Sequence, residues 1–440
     1  MARGGEGLQL VWFRRDLRLD DNPAVRAAAD GDGRVACCFV LDPRLYQGPG
    51  VAPARVRFLL EGLQDLDERL QERGGGLLLA HGHPESEVPR LATELGAVAV
   101  QACADDEPFA VERDAAVERH LAAAGVPLTL HHDQTLVPHE AVATQEGTPC
   151  RTYAAYVRAV GRVLAGAPAG PERTVMGGRL RRVLAPADVP SAARLGVQGT
   201  GGDLRGGESA GLERLRDWRD DGLSRYARHR NDVADPRATS RLSPYLKLGM
   251  LSPRRVMAVA ERANASVWRA ELLWRDWFKY VLHHHPNLAD EPVDPRFRAV
   301  RWPGSDAHFE AWARGETGYG LVDAGMRQLA ETGFQPNRIR LVCASFLVKD
   351  LHVDWRRGER WYREHLIDGD LSQNAGNWQW VAGLGLDAAP YFRIFHPERQ
   401  EQRFDPDGVY VNRWAPDRPA PIVDHELERR RALDLYGAGR

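Results

Sequence analysis

Four short stretches collect side chains suited to chemistry. In SVWRAELLWRDWFKYVL (266–282), Glu271, Trp274 and Arg275 stand at i, i+3 and i+4. On a helix, an acid, a large aromatic plate and a cation would therefore share one face. GFQPNRIRL (333–341) supplies Asn337, Arg338 and Arg340 just after Pro336. Proline disfavours helix at the preceding residue, so a helix starts near here, and its free amides favour anionic partners. Guanidiniums this close suit phosphate or carboxylate. In DGDLSQNAGNWQW (368–380), Asn374 and Trp378 share a helix face at i, i+4, whereas Trp380 points about 200° away. Asp368 and Asp370 are placed to cap that helix, accept from ribose hydroxyls or pair with arginine. RATSRLSPYLKLGMLSP (237–253) adds Thr239, Ser240, Arg241 and Ser243, which a helix cap explains as well as a ligand does.

Each stretch alone has an ordinary explanation, such as a Glu–Arg surface pair beside a core tryptophan. Together they describe a cavity rich in acid, amide, guanidinium and indole. That is a poor choice for a core that has only to be stable, and it points to a large polar ligand.

The elements that must position these residues fall into two classes. Up to residue 138, apolar runs alternate with amphipathic segments: LQLVWF (8–13), RVACCFVLD (34–42), GLLLA (76–80), AVAVQA (97–102) and VPLTLHH (126–132). Strand and helix in alternation predict an α/β domain with a doubly wound parallel sheet over 6–138. No GxGxxG follows the first strand, which argues against a dinucleotide dehydrogenase. A connector is expected over 139–215, where Gly, Ala, Pro and Arg accumulate. Eleven of the twelve tryptophans lie at or after Trp218, and strand-like runs give way to helical ones. An all-α domain with an aromatic interior is expected over 216–440. At 440 residues the chain has room for two domains, each with its own core.

Composition removes several function classes. The N-terminus has no apolar signal core and no window approaches a membrane span, so a cytoplasmic protein is expected. Cys37, Cys38, Cys103, Cys150 and Cys343 form no CxxC pair, which argues against a disulfide framework, a zinc site or an iron–sulfur cluster. The run His283–His285 lacks HExxH spacing and precedes Pro286, so no metal site is read there. The net charge of −2 carries no overall basic signature. Between Arg225 and Arg275, however, eleven Lys or Arg face four acids. On charge alone that stretch reads as a solvated helical face.

Nearly the whole chain resembles the DNA photolyase/cryptochrome family, and within it the class I cyclobutane pyrimidine dimer photolyases. The motifs that carry the resemblance are WFRRDLRLDDNPAV (12–25), TSRLSPYL, ELLWRDW, GYGLVDAGMRQLAETGFQPNRIR, ASFLVKDLHVDWRRGERWYREHLIDGDL and NWQWVAGLGLDAAPYFRIFHP. The resemblance implies FAD bent within the helical domain, active as reduced FADH⁻. Tyr226, Thr239, Ser240, Arg241, Leu242 and Ser243 would then hold the phosphates and nearby atoms. Arg275, Arg340, Asp368 and Asp370 would surround the isoalloxazine and adenosine, with Asn374 facing flavin N5. It further implies an electron path through Trp378, Trp355 and Trp302 to the surface.

On the substrate side, the resemblance implies UV-damaged DNA, single- or double-stranded. A flipped dimer would lie between Trp274 and Trp380, with Glu271, Asn337 and Arg338 on its edges and Arg230 on the backbone phosphates. An antenna chromophore, a deazaflavin or a methenyl folate, is expected near DDEPFAVERDAAV (105–117), whose EPF…RD pattern is closer to the deazaflavin users. Monomeric action is the family habit. The chain departs from the class I pattern at Leu341, Leu384 and Leu386, where a methionine and two hydroxyl residues are usual. A cryptochrome-like photoreceptor shares the fold and FAD, but often carries an extended C-terminal tail. The (6-4) enzymes place histidines where Asn337 and Leu341 stand, and a light-independent flavoprotein leaves Trp302, Trp355 and Trp378 without a role.

Overall fold

All five apolar runs form strands: β1 (Leu8–Phe13), β2 (Val35–Leu41), β3 (Leu77–His81), β4 (Ala97–Cys103) and β5 (Leu128–His131). They pair in parallel in the order β3-β2-β1-β4-β5, with Gln9 opposite Val35 on one side and Ala99 on the other. The order reverses at β1, so the switch point lies between the carboxyl ends of β1 and β4. The computed structural model describes residues 7–438 except 32, 49–50, 167–170, 172–173, 175–178, 182–185, 200–201 and 391. The expected domain limits at residues 6 and 440, parts of the connector and Tyr391 of the last motif lie outside the described residues.

Four helices wrap the sheet: α1 (Pro23–Asp30), α2 (Pro53–Glu72), α3 (Pro84–Leu95) and α4 (Pro108–Ala123). Each opens on proline, whose missing N–H is unpaired at a helix start in any case and whose φ is already helical. The connector is not wholly irregular, since α5 (Tyr153–Ala165) buries Tyr156, Ala159 and Val160. The helical domain begins inside the expected connector, at α6 (Glu208–Asp217). It continues through α7 (Tyr226–His229), α8 (Ser243–Lys247), α9 (Pro253–Arg262), α10 (Ser266–His284) and α11 (Asp306–Arg314). Then follow α12 (Gly320–Thr332), α13 (Asn337–Lys349), α14 (Trp355–His365), α15 (Leu371–Ala382), α16 (Pro397–Phe404), α17 (Val409–Trp414) and α18 (His425–Ala438). None of the described helices is long and apolar enough to cross a membrane.

One apolar cluster runs through both domains, and each domain has a further cluster of its own. One face of the sheet packs against α3 and α4 through Val88, Leu91, Val117 and Leu121. The apolar cluster on the other face, with Val11, Phe13 and Phe39, runs on through α2 and α5 to Trp218, Trp268, Trp277 and Tyr280. A second cluster fills the far side of the helical domain around Trp312, Tyr362 and Trp378. At about 1.5–3 kcal/mol for each large apolar side chain buried, the shared cluster ties the sheet to α10.

Candidate active site

A cavity of about 420 Å³ opens between α8, α10, α13 and α15. Its walls hold fourteen residues singled out in the sequence: Tyr226, Thr239, Ser240, Arg241, Leu242, Ser243, Glu271, Trp274, Arg275, Asn337, Arg340, Asp368, Asp370 and Trp380. A smaller cavity of about 70 Å³ adjoins it, lined by Asn374 and Trp378 and sharing Asn337, Arg340, Asp368 and Asp370 with the first. Helix α15 does form across the QNAGNWQW stretch, so Asn374 and Trp378 face one space and Trp380 the other, as their spacing requires. Trp378 is buried, whereas Trp380 is partly exposed to the larger cavity.

Helix α15 is anchored at its N-cap. Asp370 accepts from the Ser372 and Gln373 amides at 3.1 and 3.3 Å. The same carboxylate pairs with Arg15, with Lys279 at 3.3 Å and with Lys247 at 3.9 Å. Burial opposes its ionisation, but the cations of Lys279, Arg15 and Lys247 outweigh burial and hold Asp370 well below the usual carboxylate range. Sequence reading missed Arg15, Lys247 and Lys279, which come from distant segments and meet only in space. For Lys247, burial reinforced by Arg15 lowers the ammonium to about 8. Gly376 brings α15 close to α10, because a Cβ there would lie 2.2 Å from Phe278.

Asp368 accepts from Ser243 Oγ at 2.6 Å and pairs with Arg340 at 3.0 Å, joining the starts of α8 and α15 to α13. Arg241 adopts φ 52°, a left-handed conformation that costs a non-glycine residue about 1–2 kcal/mol. Its guanidinium is fixed by Asp203 at 2.7 Å and lies over the Phe334 ring at 4.8 Å. Arg275 donates to the carbonyls of Gln134 and Leu246 and to Asp276, so this expected ligand contact also pins the sheet domain to α10. Asn374 turns its amide nitrogen toward the Glu359 carbonyl at 2.7 Å and the Glu359 carboxyl at 3.0 Å. Burial raises the Glu359 carboxyl despite Arg363 beside it.

One expected lesion contact, Arg338, falls outside the cavity wall. In α13, Asn337, Arg340 and Leu341 stand at i, i+3 and i+4 and face the cavity, while Arg338, about 100° from Asn337, faces aside. Arg338 lies over the Phe404 ring at 4.5 Å and donates to Asn231 Oδ1 at 3.2 Å. Burial, reinforced by Arg230, Arg403 and Arg393, lowers its guanidinium, which identifies a cationic cluster beside the opening. Arg230 pairs with Glu271, and burial raises the Glu271 carboxyl in spite of that cation. One wall contact was missed. Tyr153 stacks on Trp274 with ring centroids 3.8 Å apart and planes 7° apart.

Trp378, Trp355 and Trp302 lie in or against one apolar cluster, with Trp355 fully buried and Trp302 partly exposed. Trp378 packs on Gly358, one turn beyond Trp355 on α14, where a Cβ would meet the indole at 2.2 Å. Gly304, two residues after Trp302, packs against Leu351–Val353, just before Trp355. The three indoles thus occupy connected packing from the small cavity outward.

The donor set fits FAD. Hydroxyls and a guanidinium suited to a diphosphate gather at 239–243, apolar Leu242, Leu246 and Phe334 flank them, and an amide with an indole closes the inner end. Comparisons with known proteins agree. The model for the FAD binding domain of DNA photolyase matches residues 268–418, and the DNA photolyase model matches residues 9–172. A deoxyribodipyrimidine photo-lyase of Thermus thermophilus is 41% identical over 98% of each chain. Among solved structures, a bacterial class III photolyase from Agrobacterium tumefaciens superposes with a TM-score of 0.87 at 34% identity, covering 99% of this chain and 98% of that one. A Synechocystis cryptochrome superposes with a TM-score of 0.88 at 28% identity, covering 97% of this chain and 99% of that one. The chain belongs to the DNA photolyase family.

Proposed function

We propose that this chain is a deoxyribodipyrimidine photo-lyase of the class I kind, repairing cyclobutane pyrimidine dimers in UV-damaged DNA under blue or near-UV light. The observation that carries this reading is one opening in which Glu271, Trp274, Asn337 and Trp380 share a wall with the residues suited to FAD. Reduced FAD, when bound, supplies the electron that opens the cyclobutane ring and takes it back afterwards. The protein does the rest. Trp274 and Trp380 offer apolar plates to a dimer turned out of the stack, which is easier to extrude than an intact step. Glu271 and Asn337 meet its edges, with Glu271 held at the mouth by its pair with Arg230. Arg230, Arg338, Arg393 and Arg403 hold backbone phosphates without reading sequence. Trp378, Trp355 and Trp302 would relay an electron from the surface toward bound FAD.

Class I assignment rests on the run of class I-like motifs from residue 12 onward. A deazaflavin or methenyl folate antenna is assigned to the switch point beside β4, where open α/β sheets take ligands and where Phe109 lies exposed under Arg44 at 4.7 Å. The protein is read as a cytoplasmic monomer. A cryptochrome-like photoreceptor is the second reading, favoured by the likeness to the Synechocystis protein.

The test is illumination of the reduced protein with UV-damaged oligothymidine, with a dark control. Recovery of intact thymine in light alone supports repair. No recovery from a protein that holds photoreducible FAD moves the reading to a photoreceptor.

A further inference from the structure

Away from the cavity, three parts of the chain converge. Asp106 lies between β4 and α4, His139 follows β5, and His283 sits in the last turn of α10. His139 Nε2 is 3.0 Å from Asp106 Oδ2, and His283 Nδ1 is 2.8 Å from Asp106 Oδ1. The three ligand atoms lie within 4.8 Å of one another, and the imidazole centroids are 4.8 Å apart. His139 is 5% exposed. Its Nδ1 is buried without a hydrogen-bond partner, and Asp106 is its hydrogen-bond partner among the described residues. Among the described residues the His139 ring makes no other hydrogen bond, and the His132 and Tyr280 rings pack against it.

We propose that Asp106, His139 and His283 form a divalent transition-metal site, suited to zinc, that ties the sheet domain to the helical domain. The two contacts are hydrogen bonds to different oxygens of one carboxylate, and a tetrahedral metal at about 2.1 Å would spread the three donors to about 3.4 Å, inside the 4.8 Å within which they already lie. Two neutral imidazoles and one carboxylate are a zinc-type donor set, and water completes the coordination on the side where Asp106 and His283 are partly exposed. The carbonyl end of α10 adds a field that favours a cation. Lys279, one turn earlier on α10, is engaged by Gln134 at 2.6 Å and by Asp370. The His283–His285 run escapes a spacing rule because only His283 joins the site, with partners 144 and 177 residues away in sequence.

The inference does not depend on the photolyase reading and is tested on the full-length flavoprotein. After chelator treatment the protein is dialysed against zinc, bound metal is counted, and affinity is measured against a chromophoric chelator. Wild type retains about one zinc per chain and unfolds at a higher temperature with zinc than without. Loss of a second-shell partner alone typically costs ten- to a hundredfold in affinity, so His283→Ala and Asp106→Asn weaken zinc binding at least about tenfold. His283→Ala, at a partly exposed helix end, is the primary variant, and its folding is checked by retained flavin absorbance. His284→Ala, which alters an exposed neighbour in the same run, leaves binding unchanged. Failure of wild type to retain zinc overturns the site, as does a His283→Ala protein that binds like wild type. An equal loss in His284→Ala also overturns it, because the histidine run itself would then be the binder.

Discussion

Arg15, two residues beyond the carboxyl end of β1, forms an ion pair with Asp370, the N-cap of α15. Arg15 also reaches Glu107 at 2.5 Å and Asp105 at 3.1 Å, so the switch point of the sheet grips the helix that carries Asn374, Trp378 and Trp380. Asp370→Asn separates two roles, because asparagine caps a helix as well as aspartate does but leaves Arg15, Lys247 and Lys279 without their shared anion. Breaking a buried pair in this way costs about 3–5 kcal/mol. Urea denaturation should show that loss, together with weaker retention of flavin, whereas a change below about 1 kcal/mol would reduce Asp370 to a cap.

Tyr153 holds the face of Trp274 by stacking, and its hydroxyl donates to the Ala270 carbonyl at 2.9 Å. An aromatic pair is worth about 0.5–1.5 kcal/mol beyond the area it buries. Tyr153→Leu should therefore weaken binding of dimer-containing oligonucleotide by about two- to tenfold, with binding of undamaged DNA and the flavin spectrum unchanged. Equal losses for damaged and undamaged DNA would assign Tyr153 to the fold instead.

How much of this was legible beforehand depended on whether a signal was local. The five strands and α15 follow from periodicity, and Asn337, Arg340 and Leu341 fall on one face of α13 because helical spacing puts them there. Arg338 falls on another face of α13, because adjacency in sequence is not adjacency on a helix. Arg15, Lys247, Lys279 and Tyr153 were invisible because each gains its role from a partner far along the chain. The continuous core was hidden for the same reason, since a shift in composition marks where segment types change but not which faces pack together.

Asp133 gives the fold an acid limit. It accepts from Arg18 at 2.9 Å and Arg254 at 2.8 Å, linking β5 to the loop after β1 and to α9. Burial disfavours its charge, but Arg18 and Arg254 prevail and lower the carboxyl from 3.8 to about 2. A depressed folded value means that the unfolded chain takes up the proton first as pH falls. The stabilisation, about 2 kcal/mol, is therefore complete above about pH 4 and is lost between pH 4 and 2. Asp133→Asn should be less stable near neutrality and show a shallower decline across that window. Parallel pH profiles for the two proteins would contradict this.

The cationic rim should respond to salt. Arg338 has Arg230, Arg403 and Arg393 as cationic neighbours. Arg338→Ala should weaken binding to damaged and undamaged DNA alike and reduce the slope of log K against log salt by about one. A loss confined to damaged DNA would instead return Arg338 to the lesion.

If one opening serves both flavin and dimer, blue-light repair measured for wild type and Glu271→Ala side by side depends on Glu271. Glu271 lines the cavity from α10 between Trp268 and Trp274. Wild type should restore thymine in light and not in darkness, while the variant keeps its FAD spectrum but repairs at least about tenfold more slowly at limiting DNA, as loss of about 1.4 kcal/mol of binding requires. A wild-type protein with photoreducible FAD that leaves dimers intact, or a variant that repairs as fast as wild type, would mean that this opening does not take the dimer.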